Sequence, residues 1–170
     1  MHILEYENYE ETKKHYDTDF SYNTYPCSIP LDFPCVPMHW HRETEIIYVK
    51  SGRGMVNVDG ISYPVVKDSI VFILPGRLHS IAQYESEAFS YENIIFDMQM
   101  LIPKEGDTMS FNFFHRLQNF PEYFPFLIDR VPKAHRAVQI CLDRIDDLRT
   151  TYPAGYYLGS KGWLYQLFFI

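Results

Sequence analysis

The sequence lacks a cysteine framework. Its 170 residues contain three cysteines, Cys27, Cys35 and Cys141, and no Cys-x-x-Cys pair. An odd number of cysteines without paired spacing argues against a disulfide scaffold and against a zinc site built from thiolates. We therefore expect a protein whose thiols stay reduced.

The sequence also lacks a basic cluster and any long apolar run. The net charge is −7, whereas direct nucleic-acid binding needs Lys and Arg clustered against phosphates. The longest nearly apolar stretches, "IVFIL" and "WLYQLFFI", are much shorter than the ~20 residues that cross a bilayer. The first residues show no secretory signal pattern. These absences lead us to expect a soluble, cytoplasmic protein with no membrane partner.

Aromatic and apolar residues, by contrast, are plentiful. They make up 17% and 46% of the chain, respectively, which is enough for one domain with a substantial core. Between residues 38 and 97, "EIIYVKSG", "SIVFILPG" and "FSYENIIFDM" are typical of strands, and Asp59-Gly60 predicts a tight hairpin turn. Short strands at this spacing predict a barrel or a sandwich. Residues 98–130 are predicted to add short strands or turns that cover it.

The pattern becomes helical after residue 131. Apolar residues recur there at spacings of three and four and predict an amphipathic helix of roughly 16–18 residues. A second helix is predicted from about Gly155, with Trp163, Leu164, Leu167 and Phe168 on one face. The wide apolar stripe of the first helix predicts a homodimer contact through Val138, Cys141, Leu142, Ile145 and Leu148. Because the sequence ends while still strongly apolar, we expect a chain cut from a longer protein.

Two histidines and a glutamate form the main candidate site. His39 and His41 are two residues apart, so the alternation of a strand puts both on one face. Glu45 shares their parity if the strand continues, or returns beside them if the chain turns at residues 42–44. His79 follows a Pro-Gly turn after a different strand and supplies a third imidazole. Three nitrogens and one oxygen suit a divalent metal such as Zn, Fe, Mn, Ni or Cu(II).

The residues alone leave three interpretations of this cluster open. The four side chains hold a metal, or they contact an organic effector directly, or they form an internal hydrogen-bond network in which each partner satisfies another. Tyr48 and Arg77 are further ligand-binding candidates, the first as a pocket aromatic and the second as a partner for an anionic effector. Phe72, Tyr63 and Trp40 are weaker pocket candidates, since core packing explains each of them.

Residues outside the barrel carry weaker signals. The polar segment 1–20 is expected to form an arm, either as a lid over the pocket or as a disordered tail. The remaining histidines are scattered, and we expect them on the surface: His2, His15, His115 and His135.

The motifs of the central segment resemble those of a known family. His39, His41, Glu45 and Gly52 match the first motif of the cupins, and "LPGRLH", whose histidine is His79, resembles the second. The stretch "DFPCVPMHWHRETEIIYVKSGRGMVNVDGISYPVVKDSIVFILPGRLHS", followed by two helices, is similar to the sensor half of AraC-type transcription regulators. The resemblance implies a mainly β fold, an antiparallel cupin-type (jelly-roll) barrel followed by two C-terminal α-helices. Its parts would be an arm (1–20), the barrel (21–130) and a helical dimerisation segment (131–170).

The same resemblance implies a function. A regulator of this type binds a small-molecule effector inside the barrel and forms a homodimer. It contacts DNA only through a C-terminal domain that this sequence does not contain. No cofactor is certain, although His39, His41, Glu45 and His79 could hold Zn, Fe, Mn or Ni. The alternative is a metal-dependent cupin enzyme, such as a dioxygenase or a sugar isomerase. Departures from the second cupin motif at Lys67 and Gln83 favour the regulator.

Overall fold

The elements of the chain form two compact units. The computed structural model describes residues 6–16, 20–103, 105–119, 127–130 and 132–170. Contacts within the chain separate unit 1, Met1–Leu127, from unit 2, Ile128–Ile170. The strands of unit 1 are β1 (Tyr22–Ile29), β2 (Val36–His39), β3 (Thr44–Val58), β4 (Ile61–Val66), β5 (Ile70–Ile73), β6 (His79–Gln83) and β7 (Phe89–Phe96). The helices are α1 (Thr108–Asn119), α2 (Pro132–Thr151) and α3 (Tyr156–Phe169), with short 3₁₀ helices at Met98–Leu101 and Ile128–Arg130.

One long strand, β3, organises unit 1. Its first part pairs with β7 and β5, and its second part pairs with β4 and β6. Strand β1 extends the sheet beyond β7, and β2 pairs with β6. All of these named strand pairs are antiparallel. The predicted mainly β fold class, an antiparallel cupin-type sheet with helices after it, is confirmed.

The change of partners along β3 depends on glycine. Gly52 has φ +75°, and a Cβ at this position would lie 2.1 Å from the Ala88 carbonyl oxygen. The register with β7 shifts just before it, between Val49 and Ser51. A Cβ at Gly54 would lie 2.5 Å from the Phe89 ring. Only glycine tolerates this backbone angle and this approach without strain, so the last residue of the first motif has a structural role.

The core of unit 1 follows the alternation of the strands. Ile47 and Val49 on β3 point inward with Ile81 on β6, and each is fully buried. Burying one such side chain stabilises the fold by roughly 1.5–3 kcal/mol. The predicted hairpin at Asp59-Gly60 is confirmed, because both residues adopt positive φ, 50° and 83°, as a primed turn requires. The core therefore forms around β3, which also carries Glu45.

One predicted region is wrong. Residues 98–130 were expected to form strands or turns, but the structure has a 3₁₀ helix at Met98–Leu101 and the helix α1. The side chain of Asp107 accepts a hydrogen bond from the Ser110 amide at 3.0 Å, as an N-cap residue does. The favourable cap outweighs the aromatic content that suggested strands. The proline-rich residues 120–126, like His2, lie outside the described residues.

Unit 2 contains the two predicted C-terminal helices. Val138, Cys141, Leu142 and Ile145 are at most 3% exposed within a single copy of the chain. Leu148 is half-buried and approaches Gly159 of α3. These side chains therefore pack within one copy, which corrects the idea that they present a free surface for a second copy. The apolar residues that α3 does expose are Tyr157, Leu158, Tyr165 and Phe169.

Candidate functional site

The structure brings His39, His41, Glu45 and His79 together. His39 ends β2, Glu45 lies near the start of β3, and His79 begins β6, directly opposite His39 in the β2–β6 ladder. One ligand atom from each of the four side chains lies within 4.8 Å of the other three. His41, Glu45 and His79 are at most 3% exposed, whereas His39 is only partly buried. The cluster thus has one open side, at His39.

Backbone carbonyls fix the protonation of the three imidazoles. Nδ1 of His39 lies 2.9 Å from the Pro37 carbonyl, Nδ1 of His41 lies 3.2 Å from that of Glu43, and Nδ1 of His79 lies 2.9 Å from that of Arg77. A carbonyl oxygen only accepts hydrogen bonds, so each Nδ1 carries the proton. In the neutral ring this leaves the lone pair on Nε2, the atom that faces the centre of the cluster.

A single carboxylate oxygen occupies that centre. Oε2 of Glu45 lies 2.8 Å from Nε2 of His41 and 3.0 Å from Nε2 of His79. Without a cation, each contact needs a proton on Nε2, and both rings would then be imidazolium ions. Oε1 of Glu45 is buried and has no hydrogen-bond partner among the described residues. Such an acceptor without a donor is costly in a buried site.

The charges of the cluster are strongly coupled. Burial by itself would raise the pKa of the Glu45 carboxyl, but attraction to His79 and hydrogen bonds from His41 and His79 hold this pKa below its ordinary value. Burial would lower the pKa of His79, yet the neighbouring Glu45 carboxylate raises it. Burial, together with repulsion from His79, lowers the pKa of His39. Glu45 is therefore a carboxylate at neutral pH, and His39 is a neutral ring.

This donor set fits a divalent transition metal. Histidine ligands of metals commonly donate their other ring N–H to a backbone carbonyl, which orients the lone pair toward the ion. All three rings here have that arrangement. The unpartnered Oε1 of Glu45 and the close approach of its Oε2 to two imidazole nitrogens are the other marks of a cation site. Nitrogen and oxygen donors in this number suit Zn, Fe, Mn or Ni.

Two residues of the arm complete the open side of the site. The Glu11 Oε2 atom lies 3.1 Å from Nε2 of His15 and 3.7 Å from Nε2 of His39. His15 is only 5% exposed, which corrects its expected place on the surface. Two more histidines were expected on the surface: His115 is exposed, and His135 is half-buried beside Asp129. The hydrogen bond from His15 lowers the pKa of Glu11, so the arm brings a second carboxylate to the site.

A cavity of about 360 Å³ adjoins the cluster. Glu11, His39 and Glu45 form its polar end. Apolar and aromatic side chains form much of the remaining wall, among them Tyr25, Phe33, Val36 and Ile95. This volume lies near the lower end of the range for small-molecule sites, about 300–1,000 Å³, so the cavity suits a small ligand.

A second polar group lines the cavity on β7, the strand that pairs with the Glu45 part of β3. Asn93 on β7 lines the cavity, and its Oδ1 atom is buried without a hydrogen-bond partner among the residues that the structure describes. Beside it on the same strand, the Tyr91 hydroxyl adjoins the Cys27 thiol. Burial raises the pKa of both Tyr91 and Cys27, so both stay protonated and neutral. A ligand in the cavity can therefore meet hydrogen-bonding groups besides those of the cluster.

Of the six predicted ligand-binding residues, only His39 and Glu45 line the cavity; His41 and His79 belong to the cluster but not to the cavity wall, and Tyr48 and Arg77 belong to neither. Tyr48 is buried on the opposite face of β3 from Glu45, and the Lys50 ammonium lies 3.7 Å from its ring centroid. Arg77 forms an ion pair with Asp59 at 2.7 Å. Neither residue lines the cavity. The same holds for the other pocket candidates, Phe72, Tyr63 and Trp40.

Several residues that do line the cavity were missed in the sequence. Glu11 and His15 had no local signal, because their place depends on where the arm folds. Asn93 did have a local signal, because asparagine is rare in strands. It lies on the same face of β7 as Tyr91 and Ile95, and all three line the cavity.

Comparison with known families agrees with this geometry. Residues 33–103 match the model of the AraC-like ligand binding domain. That segment contains all four residues of the cluster, and the predicted resemblance to the cupin-like effector-binding domain is confirmed for it. This part of the chain is thus similar to a ligand-binding domain. No curated protein matches the chain.

Several solved cupin structures are similar to part of the chain. A Cupin 2 conserved barrel domain protein from Salinispora arenicola is 24% identical with TM-score 0.42, over 49% of this chain and 69% of that chain. A cupin protein from Bacteroides fragilis is 22% identical with TM-score 0.43, over 53% and 75%. Oxalate decarboxylase from Bacillus subtilis, described with Mn(II) centres, is 22% identical with TM-score 0.38, over 46% and 22%. Among the described residues, no helix is long and apolar enough to cross a membrane.

Proposed function

We propose that this chain is the effector-sensing domain of an AraC-type transcription regulator. A small molecule would enter the cavity beside the histidine–glutamate cluster and change how the arm and the helices are held. DNA would be contacted by a separate domain outside this chain, in agreement with the net charge of −7. The match of residues 33–103 to the AraC-like ligand binding domain supports this assignment.

The observation that carries the proposal is the cavity itself. It has the size of a small-molecule site, about 360 Å³, and it opens onto His39 and Glu45. It also contains a buried, unpartnered oxygen on Asn93. A domain that served only as a packed scaffold would gain stability from apolar side chains at such positions. Retained polar groups around an open volume are characteristic of ligand binding.

A divalent metal fits into this proposal as part of the pocket. His39, His41, Glu45 and His79 would hold the ion, which would act as a Lewis acid toward an oxygen or nitrogen of the effector. The chain itself orients the rings through their Nδ1 hydrogen bonds and excludes water from three of the four side chains. Asn93 would bind a further polar group of the same effector.

Thermal unfolding in the presence of candidate effectors tests the assignment. A compound that occupies the cavity at about a hundred times its Kd stabilises the protein by about 2.7 kcal/mol, which raises Tm by several degrees. Cys27→Phe, which fills the cavity, should abolish this shift. Cys141→Ser, in unit 2, should retain it. A shift that survives in Cys27→Phe would mean that the compound binds elsewhere.

One observation favours the alternative of a metal-dependent enzyme. On a six-coordinate metal such as Mn or Fe, three imidazoles and one carboxylate would leave two positions free, and two of the four side chains, His39 and Glu45, line the cavity. Open positions are typical of catalytic metal sites. The two functions are separated by incubating the metal-loaded protein with a bound compound and following that compound by mass spectrometry. An unchanged compound supports the sensor, and steady conversion supports the enzyme.

The helices of unit 2 would join two copies of the domain. Their buried stripe packs within one chain, so the contact would use the exposed apolar side chains of α3, among them Leu158 and Phe169, which are 67% and 82% exposed. Monomers rarely leave a large contiguous apolar patch in water. A symmetric dimer is the commonest way to cover one.

A further inference from the structure

The arm residue Glu11 lies at the open side of the histidine–glutamate cluster. Its Oε2 atom lies 3.7 Å from Nε2 of His39, the one histidine of the cluster that is not fully buried. Glu11 also lines the same cavity as His39 and Glu45. The distance is too long for a direct hydrogen bond, but it suits two groups that contact the same bound atom from different sides.

Specific contacts hold Glu11 in this place. Its backbone amide donates to the Trp40 carbonyl at 2.8 Å, and the Trp40 amide donates to the Tyr9 carbonyl at 2.9 Å. Trp40 lies between His39 and His41 in the sequence, so the arm is attached to the segment that carries two ligands. The position of Glu11 relative to the cluster is therefore set by backbone hydrogen bonds, which a flexible surface side chain does not have.

His15 fixes the carboxylate of Glu11 in turn. Its Nε2 lies 3.1 Å from Oε2 of Glu11. The His15 carbonyl accepts hydrogen bonds from Asn23 Nδ2 at 2.7 Å and from the Tyr25 hydroxyl at 2.9 Å, which anchors it on β1. The neighbouring Glu10 points elsewhere and lies 3.4 Å from Arg42. Glu11 is thus held at the cluster, whereas its neighbour Glu10 is not.

We infer that Glu11 is a further residue of the metal site, which accepts a hydrogen bond from the group bound at the open side of the ion. This rests on the proposed metal at His39, His41, Glu45 and His79. The group must carry a proton, as water, an alcohol or an amine does, because Glu11 offers only acceptor oxygens there. Glu11 therefore favours protic ligands and disfavours carboxylates at the open side, where they would face its negative charge, whereas the positive charge in the cavity lining comes from Lys13.

Cobalt(II) binding to the intact chain tests this role without a known effector. The apoprotein is titrated with Co²⁺, and affinity and visible absorption are measured for the wild type, Glu11→Gln and the matched control Glu10→Gln. Loss of a hydrogen-bonding partner around a metal typically lowers affinity about 10-fold or more. We expect this loss and an altered visible spectrum for Glu11→Gln alone. Glu10→Gln should resemble the wild type.

A second titration tests the preference for protic ligands. Azide, an anion without a proton, is added to the cobalt protein and followed by the same bands. Removal of the Glu11 charge should strengthen azide binding several-fold in Glu11→Gln and leave it unchanged in Glu10→Gln.

The outcomes separate the inference from the proposed function. A wild type that binds no Co²⁺ would contradict the metal site and with it the role of Glu11. If the wild type binds Co²⁺ and Glu11→Gln matches it in affinity, spectrum and azide binding, only the role of Glu11 is wrong. Equal losses in Glu11→Gln and Glu10→Gln would also overturn it, since they would point to a general effect of arm charge. Thermal unfolding of each apoprotein confirms that the variants are folded.

Discussion

Tyr6 stacks on Trp40, with ring centroids 4.7 Å apart, and the Trp40 Nε1–H donates a hydrogen bond to the Tyr6 carbonyl at 2.8 Å. The Tyr6 hydroxyl reaches the carbonyl of Gly76, three residues before His79. The first described residue of the arm is therefore attached to both chain segments that supply the histidines. Arm docking and the geometry of the cluster are consequently linked.

Substitutions of Trp40 should weaken the attachment of the arm, less in Trp40→Phe than in Trp40→Ala. Trp40→Phe keeps the stack but loses the Nε1 donor, which costs about 1 kcal/mol of unfolding free energy. Trp40→Ala also loses the stack and its buried area, so the total rises to roughly 2–3 kcal/mol. Urea unfolding measures both values. Hydrogen exchange at the Glu11 amide should accelerate most in Trp40→Ala. Equal stability of both variants and the wild type would mean that the arm does not depend on this contact.

Removal of one imidazole should abolish metal binding. His79→Gln deletes a fully buried ligand, so protein purified without chelator should lose most of the metal that the wild type carries. His135→Gln is the matched control, because this histidine lies in unit 2 beside Asp129. Elemental analysis of the three proteins decides the matter. Retention of stoichiometric metal in His79→Gln would exclude the four-residue site.

Without metal, the cluster should be most stable in mildly acidic solution. The pKa of Glu45 is lowered from 4.5, so its contribution is complete above pH 4.5 and is lost as the pH falls toward the folded-state pKa. The pKa of His79 is raised from 6.5, so its contribution is complete below pH 6.5 and is lost as the pH rises through the folded-state pKa. The contributions of these two groups to Tm in chelator should therefore fall on both sides of this window, and the lowered pKa of His39 opposes the alkaline fall.

Added zinc should reverse the alkaline side of this profile. Protons compete with the ion for the imidazole nitrogens, so the zinc-dependent gain in Tm should grow from mildly acidic to mildly alkaline buffer. The control is His79→Gln, which should lose both the alkaline decline in chelator and the response to zinc. A wild-type Tm that declines with rising pH equally in zinc and in chelator would contradict the prediction.

Asn93→Leu should stabilise the ligand-free protein. The Oδ1 atom of Asn93 is buried without a partner among the described residues, and an apolar side chain of similar shape removes that cost, about 1 kcal/mol. Chemical denaturation should give a higher unfolding free energy. The same variant should lose effector binding, which would identify Asn93 as a residue kept for function. A destabilised Asn93→Leu protein would instead indicate that a bound water satisfies the amide.

Charged residues on α3 should separate a dimer. The double variant Leu158→Asp and Phe169→Asp places two carboxylates on exposed apolar positions, so light scattering should shift from dimer to monomer while the circular dichroism spectrum stays the same. Ile61→Asp is the control, because Ile61 is 59% exposed but lies in unit 1. A parent chain that is monomeric at micromolar concentration would refute the proposed dimer directly.

The sequence predicts the cluster because its geometry is local to strand ends. His39 ends β2, the bend at Arg42 and Glu43 brings Glu45 back beside the two histidines, and the turn before His79 returns the chain so that His39 and His79 pair directly. Tyr48 was wrongly predicted to line the pocket, although the alternation of side chains along a strand applies to it. It lies three positions after Glu45 in the sequence, so the two side chains point to opposite faces of β3. The parity rule therefore predicts β-sheet contacts correctly when it is applied to every residue.

Contacts made by the arm could not be predicted in the same way. Glu11 and His15 meet the cluster only because backbone hydrogen bonds attach residues 9–11 to Trp40, and no spacing in the sequence encodes such a pairing. The helix α1 was missed because the aromatic content of residues 111–114 suggested strands, whereas the Asp107 cap favoured a helix. Tertiary hydrogen bonds thus determine where the arm lies, and a single N-cap favours the helix α1.

The sharing of β3 among four partner strands bears on how unit 1 unfolds. Thr44–Val58 contributes hydrogen bonds to β4, β5, β6 and β7, so one continuous strand links the two halves of the sheet and is hydrogen-bonded on both edges in each half. Local opening of a smaller region is thereby suppressed, and the amides of β3 should exchange with solvent only through global unfolding. Glu45 belongs to this slowest-exchanging segment. An ion bound there would be released in a single cooperative event.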